Sequence, residues 1–379
     1  MKFTMDLDTL DKLLKPAVKC ASSNRTLQIL SHIYVRLNDN DIEVIGANPE
    51  YTVKVRGRAN IEEEGEFLVL GDKFLQIIKS LPGSTVSIKS IENNSIIVES
   101  LEKPTNFVLQ TISVEEYPKQ ILSYTETSYD FEISQKEMKK VIRKLIKFCS
   151  ESDTLQAIFT GFLFELKETG DLVFVTTDTK RMGVFYTSYK ALSNTINTKF
   201  VVPSDTLDIL EEVLNDEGPL RIGINIDEDG NVRNVVFKVD GVVISSSVIS
   251  GNFPNYSAVI PNTTSNYSQI NKKELEQAIK RVSIMADKET NKVTFFFGED
   301  TLNIKSENSI LGQASESIPC KFFGTPDYIS FNYQYILDYL SSLDADEFYW
   351  GFNHYESGNK FWSDKEKEFI YVAMPLRRG

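Results

Sequence analysis

Apolar positions follow two rhythms along the chain, and the longer one recurs three times. From Ser134 to Cys149, residues Met138, Val141, Ile142, Leu145, Ile146 and Cys149 keep the i, i+3, i+4, i+7 spacing of one helical face. Phe3-Thr-Met-Asp-Leu-Asp-Thr-Leu opens a segment of the same kind running to Ser22, and Ser268-Gln-Ile-Asn-Lys-Lys-Glu-Leu opens another running to Asp287. Counted from Phe131 of the middle copy, these starts lie 128 and 137 residues away, each about a third of the chain. In register, Met5/Ile133/Ile270, Leu10/Met138/Leu275 and Leu14/Ile142/Ile279 coincide. Asp6, Ser134 and Asn271 stand where each helix opens, as residues whose side-chain oxygens accept from the free N–H groups of a first turn. Ser134 with Glu137 and Asn271 with Glu274 add the spacing of a capping box. A second helix repeats as well, at Lys73–Leu81, Thr206–Leu214 and Tyr335–Leu343, and Glu116-Tyr-Pro118 is echoed by Asn252-Phe-Pro254.

Between the helices the rhythm shortens to two, the pattern of half-buried strands. Ile42/Val44, Tyr51/Val53/Val55, Val86/Ile88 and Ile96/Val98 alternate with polar residues, the last pair following an Asn93-Asn94 turn. Val235/Phe237/Val239 and Val242/Ile244 flank Asp240-Gly241, a hairpin dipeptide. The pattern predicts an α+β chain of three similar domains, each two helices packed on antiparallel sheet. Boundaries fall in the polar stretches SYTETSYD and NTTSN, giving domains 1–128, 129–263 and 264–379.

Composition narrows the chemistry. The 379 residues carry 41 Lys+Arg against 54 Asp+Glu, a net charge of −13, which argues against a surface that coats nucleic acid or an anionic membrane all over. The charged start MKFTMDLDTL is unlike a signal peptide, no apolar run reaches the ~18 residues of a membrane span, and Cys20, Cys149 and Cys320 lie far apart. A cytoplasmic protein without a disulfide framework is the expectation. His32 and His354 are isolated, there is no C-x-x-C pair, and phosphate-loop, dinucleotide and nucleophile-elbow motifs are missing. The carboxylate pairs Asp6/Asp8 and Asp344/Asp346 read better as cap and turn residues than as Mg²⁺ ligands. An enzyme, such as a metal-dependent nuclease or transferase, is therefore the weaker class, and no metal or cofactor is expected.

One helix departs from the acidic average. Lys136, Lys139, Lys140, Arg143, Lys144 and Lys147 repeat the spacing of the apolar stripe displaced by two residues, placing six cations on the opposite face. A polyanion-facing surface is the reading favoured by counterion release, with a merely solvated lysine face as the alternative. Lys12, Lys15 and Lys19 in the first copy, Lys272, Lys273, Lys280 and Arg281 in the third, and Lys73 and Lys79 on a second-type helix extend it, whereas Asp208, Glu211 and Glu212 run against it. A scaffold that responds to polyanions without encircling them is the remaining alternative.

The three repeats, MKFT at the start, Thr177-Asp-Thr-Lys-Arg-Met182, GNFPNY and the terminal YVAMPLRRG together resemble the bacterial DNA polymerase III beta subunit, the replicative sliding clamp family. The resemblance runs through the whole chain in order. It implies a head-to-tail homodimer whose six domains close a ring around double-stranded DNA, helices lining the hole. It implies further that replicative polymerase, clamp loader and repair proteins dock by short peptides in a cleft between domains two and three. By that resemblance Arg25 and the cations Lys12, Lys15, Lys73, Lys79, Lys136, Lys139, Lys140, Arg143, Lys144 and Lys147 face DNA, while Ser204 and Asp205 replace basic residues of the family.

The implied cleft comprises Phe159, Thr177, Thr179, Lys180, Arg181, Met182, Pro254, Val259, Asn332, Tyr335, Val372, Met374, Pro375, Leu376 and Arg377. There the family's usual Thr-Asp-Gly-His-Arg-Leu has become Thr-Asp-Thr-Lys-Arg-Met, Ala258 replaces a frequent arginine, and Arg378-Gly379 extends the end. An apolar pocket with an arginine rim is expected. The implied dimer contact sets Phe107 and Leu109, on an edge strand, against Ile284 and Met285, with Lys73 opposite an acidic cluster thinned here to Gln313-Ala-Ser-Glu316. A ring that opens more readily is the consequence expected of that thinning. Without the resemblance, Phe107 and Leu109 read as ordinary sheet core, the turn after Val175 as a connector, and Met374-Pro-Leu-Arg-Arg as a frayed tail unless the strand pattern of Phe369-Ile-Tyr-Val-Ala-Met ties it down.

Overall fold

The computed structural model describes residues 1–22, 27–122, 128–151, 156–194 and 196–377. Among them lie seven helices: α1 (Leu7–Ser22), α2 (Gly71–Ser80), α3 (Lys119–Leu122), α4 (Gln135–Leu145), α5 (Ser204–Val213), α6 (Lys272–Val282) and α7 (Tyr333–Ser342). The expected pairs are therefore α1 with α2, α4 with α5, and α6 with α7. Two of the predicted caps are formed: Asp6 accepts the N–H of Thr9 at 2.8 Å, and Asn271 that of Glu274 at 3.1 Å. The expected turns are formed too, Asn93, Asn94 and Asp240 taking the positive φ that a tight hairpin requires.

The chain divides into two compact units that do not follow the thirds. One contains residues 1–139, 190–194 and 205–248; the other contains 140–189, 195–204 and 249–379. The strands of the middle third are shared out because each set adds to a neighbour's sheet.

In the first unit a single antiparallel sheet of fourteen strands runs from Lys190–Ala191 to Asn60–Glu63. Its junction is the pairing of Tyr51–Arg58 with Val242–Ser247, Val55 opposite Val242 and Val53 opposite Ile244. The core lies between the sheet and the apolar faces of α1 and α2: Leu10, Leu14, Ala17, Phe74 and Ile78 meet Val35, Val44, Val69, Val86 and Val98. Gly46 shows how closely they pack, since a Cβ there would lie 1.8 Å from the Ala17 carbonyl oxygen.

In the second unit a nine-stranded sheet is joined where Arg181–Ser188 pairs with Glu366–Ala373, Met182 opposite Val372. A four-stranded sheet, Gly312–Pro319, Thr301–Asn308, Lys292–Phe297 and Asp327–Asn332, completes it. This core is strongly aromatic. Trp350 is fully buried, its ring 4.8 Å from Phe361 and 4.9 Å from Phe295, and Tyr339 stacks on Tyr371 at 5.1 Å. No helix among the described residues is long and apolar enough to cross a membrane.

Candidate functional site

A cleft of about 200 Å³ opens in the second unit where the two halves of its nine-stranded sheet meet. Its floor is made by strand residues that point into an apolar cluster. Phe159, Met182, Phe253 and Val372 are buried there, with Val173, Val175, Val184 and Val201 behind them. Phe159 and Phe253 meet edge to face at 6.3 Å. The rim stays exposed: Val259 is 49% accessible and Met374 37%.

One wall is the turn Thr177–Arg181, built by its own polar side chains. Asp178 Oδ1 accepts the N–H groups of Lys180 and Arg181, both at 2.9 Å, and Thr177 Oγ1 donates to the Arg181 carbonyl at 2.6 Å. Thr179 occupies the left-handed region, φ 74°, which a β-branched residue adopts only under strain. The Met374 N–H donates to the Lys180 carbonyl, and that of Leu376 to the Ser330 carbonyl, each at 2.8 Å. The C-terminal segment is thus tied down, not frayed. On the other wall Tyr256 donates its hydroxyl to Glu165, and burial together with that carboxylate raises its pKa.

The chemistry of this arrangement is adhesion of apolar side chains. The lining offers Lys180, Arg181 and the engaged Tyr256 phenol as its ionisable groups, and among the described residues no cluster of His, Cys, Asp or Glu could hold a metal. The volume suits a few side chains of an extended segment more than a cofactor. Burying such side chains on this floor gains roughly 25 cal/mol per Å² of apolar surface removed from water.

Ten of the fifteen expected cleft residues line this cavity: Phe159, Thr177, Thr179, Lys180, Arg181, Met182, Pro254, Val259, Val372 and Met374. Asn332, Tyr335, Pro375, Leu376 and Arg377 do not. Asn332 caps α7, accepting the N–H of Gln334 at 3.0 Å, and Tyr335 lies under the Arg181 guanidinium, 4.7 Å from ring centre. Phe253 and Tyr256 were missed, although both belong to the GNFPNY segment and Phe253 to the Asn-Phe-Pro echo. The arginine rim also needs correction. Arg181 Nε binds Asp178 at 2.9 Å, one terminal nitrogen binds Asp338, and the other the Lys147 carbonyl at 2.8 Å. Its guanidinium fastens the cleft wall to α7.

The comparisons with known proteins follow the same order along the chain. Residues 1–122 match the N-terminal domain of the DNA polymerase III beta subunit, 132–255 its central domain, and 257–377 its C-terminal domain. The chain belongs to the DNA polymerase III beta subunit family. Its relatives include the beta sliding clamps of Vibrio cholerae and Bacillus subtilis, each 26% identical with both chains covered completely. The crystal structure of the DNA polymerase sliding clamp from Bacillus subtilis superposes with a TM-score of 0.90, at 25% identity and full coverage of both chains.

Against this beta-subunit fold, the expected DNA-facing residues separate into groups. Lys12, Lys15, Lys73, Lys79, Lys136, Arg143 and Lys147 are exposed. Lys139 and Lys140 are half-buried: Lys139 donates to the Leu214 carbonyl at 3.0 Å, and Lys140 to Glu368. Lys144 is a correction. Its side chain is 3% exposed and its ammonium is held by Glu366, by Asp344 at 2.8 Å and by the Ser342 carbonyl at 2.8 Å, so no phosphate can reach it. The helical stripe is real, but another element packs on part of it. Arg25 lies outside the described residues.

The family's dimer positions are also distributed unevenly. Phe107 is 36% exposed and Ile284 74%. Leu109 and Met285 are half-buried. The strand carrying Phe107, Asn106–Ile112, is an edge only along part of its length, because Thr111 and Ile112 pair with Val69 and Leu68. Along residues 106–110 it pairs, among the described residues, with Ser95–Ser100 alone. In the thinned acidic segment, Glu316 accepts two hydrogen bonds from Arg281 of α6, one at 2.8 Å, and they lower its pKa.

Proposed function

We propose that this chain is a DNA sliding clamp, a non-catalytic processivity factor that closes as a homodimeric ring around duplex DNA in the cytoplasm. The observation that carries the reading is the match of all three beta-subunit domains, in order, over almost the whole chain. The domains are 1–128, 129–263 and 264–379. Phosphates are met by the exposed cations of the first-type helices and of α2, namely Lys12, Lys15, Lys136, Arg143, Lys147, Lys73 and Lys79, with Arg25 joining them. Lys139 and Lys140 contribute by field rather than by contact, since both are half-buried, with their ammonium groups turned to the Leu214 carbonyl and to Glu368.

The cleft around Phe159, Met182, Val372 and Met374 receives a short apolar peptide from replicative polymerase, clamp loader or repair proteins. Its buried floor and exposed apolar rim support that role. The ring closes where Phe107 and Leu109 of one copy meet Ile284 and Met285 of the next. With Glu316 engaged by Arg281, little acidic charge remains for Lys73, and the ring opens more readily than one with a full acidic cluster. A dilution series followed by sedimentation would contradict this last point if the dimer persisted undiminished at nanomolar concentration.

Retention on DNA is the decisive measurement. The protein is loaded by its cognate loader and ATP onto nicked circular plasmid, and the bound fraction is compared before and after the circle is cut. Loss on linearisation, with every phosphate still present, means the link is topological. Equal retention on both forms, fading only with salt, means ordinary electrostatic binding and rejects the ring.

A further inference from the structure

The cleft carries two thioethers, and they sit at different depths. Met182, on the floor, is 5% exposed, whereas Met374, on the rim, is 37% exposed. Of the chain's six methionines Met374 is the most open to water, since Met5 and Met138 are buried and Met1 and Met285 half-buried. The backbone fixes its place. The Met374 N–H donates to the Lys180 carbonyl, and two residues on the Leu376 N–H donates to the Ser330 carbonyl, so the segment holds that side chain at the rim. Its sulfur rests beside Gly358: a Cβ added there would stand 3.4 Å from the Met374 Sγ and 3.3 Å from a Val372 methyl.

A thioether is soft and apolar, which suits this floor. Hydrogen peroxide turns it into a polar sulfoxide. Sulfur gives a lone pair to one peroxide oxygen, the O–O bond breaks, and the other oxygen leaves as water, so sulfur is oxidised and the peroxide reduced. The new oxygen needs hydrogen-bond donors, and several that line the cleft are committed. Arg181 binds Asp178, Asp338 and the Lys147 carbonyl, Tyr256 donates to Glu165, and Thr177 donates to the Arg181 carbonyl. The sulfoxide is left with water and with Thr179 and Lys180 on the exposed turn. Each of these draws it outward, away from the apolar floor. A peptide covering the rim must then strip a polar group of its water or forgo the apolar surface of Met374, and both weaken adhesion.

We propose that Met374 is an oxidation site through which peroxide lowers the affinity of the cleft for peptide, an inference that rests on the peptide-docking reading of this cleft. The test uses the full-length protein and a fluorescein-labelled peptide, Gly-Leu-Ser-Leu-Phe, followed by fluorescence anisotropy before and after brief treatment with hydrogen peroxide. Mass spectrometry of tryptic fragments locates the added oxygen. Met374 is expected to gain it before the other methionines, with affinity falling about tenfold. Methionine sulfoxide reductase with dithiothreitol, which takes the oxygen off as water while the dithiol becomes a disulfide, should restore binding. Met374→Leu, compared with its own untreated form, should keep its affinity through the same treatment. Unchanged binding once Met374 is oxidised overturns the inference and leaves the docking reading intact. Oxidation of Met1 or Met285 that spares Met374, or a loss of affinity that Met374→Leu shares, overturns it equally. Failure of the untreated parent to bind the peptide rejects the docking reading itself, and the oxidation site as a control of it.

Discussion

Lys19 on α1 and Lys147 in the 3-10 turn Ile146–Phe148 that continues α4 occupy the same place in two copies of the repeat, yet their surroundings differ. In the first unit Lys19 reaches α5 and donates to Asp208 at 2.6 Å and Glu212 at 2.7 Å, with all three side chains between a third and a half exposed. In the second unit Lys147 reaches the equivalent helix α7 and, among the described residues, finds only the Ser341 hydroxyl, at 2.7 Å. The charged contact has moved three residues back along the chain, to Lys144, which Glu366 and Asp344 enclose. The repeat conserves the geometry of helix meeting helix but not where the ion pair lies relative to water. Depth decides its worth, because an exposed pair contributes ~0–1 kcal/mol whereas breaking a buried one costs about 3–5 kcal/mol.

The largest expected effect is therefore at Lys144. Lys144→Ala should lower unfolding stability by about 3 kcal/mol, because it leaves the Glu366 carboxylate buried with only the N–H groups of Asp344 and Ala345 as partners. Denaturant unfolding measures it. The double variant Lys144→Met/Glu366→Gln should recover a substantial part of the loss; a double variant as unstable as the single one would mean that lost packing, not stranded charge, is the cause. Next comes Arg181→Met, expected to cost about 2 kcal/mol, since it frees two carboxylates, of Asp178 and Asp338, that charge-assisted bonds now satisfy. Fluorescence anisotropy with a cleft-binding peptide should show weaker binding as well, because the same arginine fixes the wall of the cleft. Unchanged affinity beside lost stability would confine Arg181 to a structural role.

How much of this was legible in the sequence follows the same division. The two helices per third, their caps at Asp6 and Asn271 and the hairpins at Asn93-Asn94 and Asp240-Gly241 rest on local patterns, and local patterns survive in the fold. The angle of the six cations around α4 was legible too. What covers them was not, since the partner of Lys144 is 222 residues away in the chain. The acids of α5 seemed to contradict a basic surface, and the fold explains two of them as the counterions of Lys19. The cleft residues were legible only through resemblance. Their own pattern said strand and turn, and nothing in it distinguished Arg181 as an internal fastening from Arg181 as a rim.

A smaller effect, of opposite sign, is expected at Thr179. Its φ of 74° costs a β-branched residue roughly 1–2 kcal/mol, which glycine avoids while losing about 0.5–1 kcal/mol of chain entropy on folding. Thr179→Gly should accordingly stabilise the second unit by about 0.5 kcal/mol and raise the melting temperature slightly. A fall in melting temperature would show that the Thr179 side chain makes a contact worth more than the strain.

The smallest effects separate the two exposed contacts by salt and pH. Lys19→Met should cost under ~1 kcal/mol at low ionic strength and almost nothing in 1 M salt, because water and ions screen a pair this exposed. Burial alone would lower the pKa of Lys19, but its hydrogen bonds to Asp208 and Glu212 outweigh that and raise it. A raised folded pKa means the contribution is complete below the unfolded lysine value and is lost as pH climbs through the folded one, in the alkaline range. Glu368 in the second unit behaves oppositely. Burial pushes its carboxyl up, the Lys140 hydrogen bond more than offsets this, and the net pKa is lowered. Its contribution is present above the ordinary glutamate range and is lost as pH falls through the lowered value. Lys19→Met should therefore flatten the alkaline limb of the stability profile and Glu368→Gln the acid limb. If either variant altered the opposite limb, the ion pair would not be the source of that pH dependence.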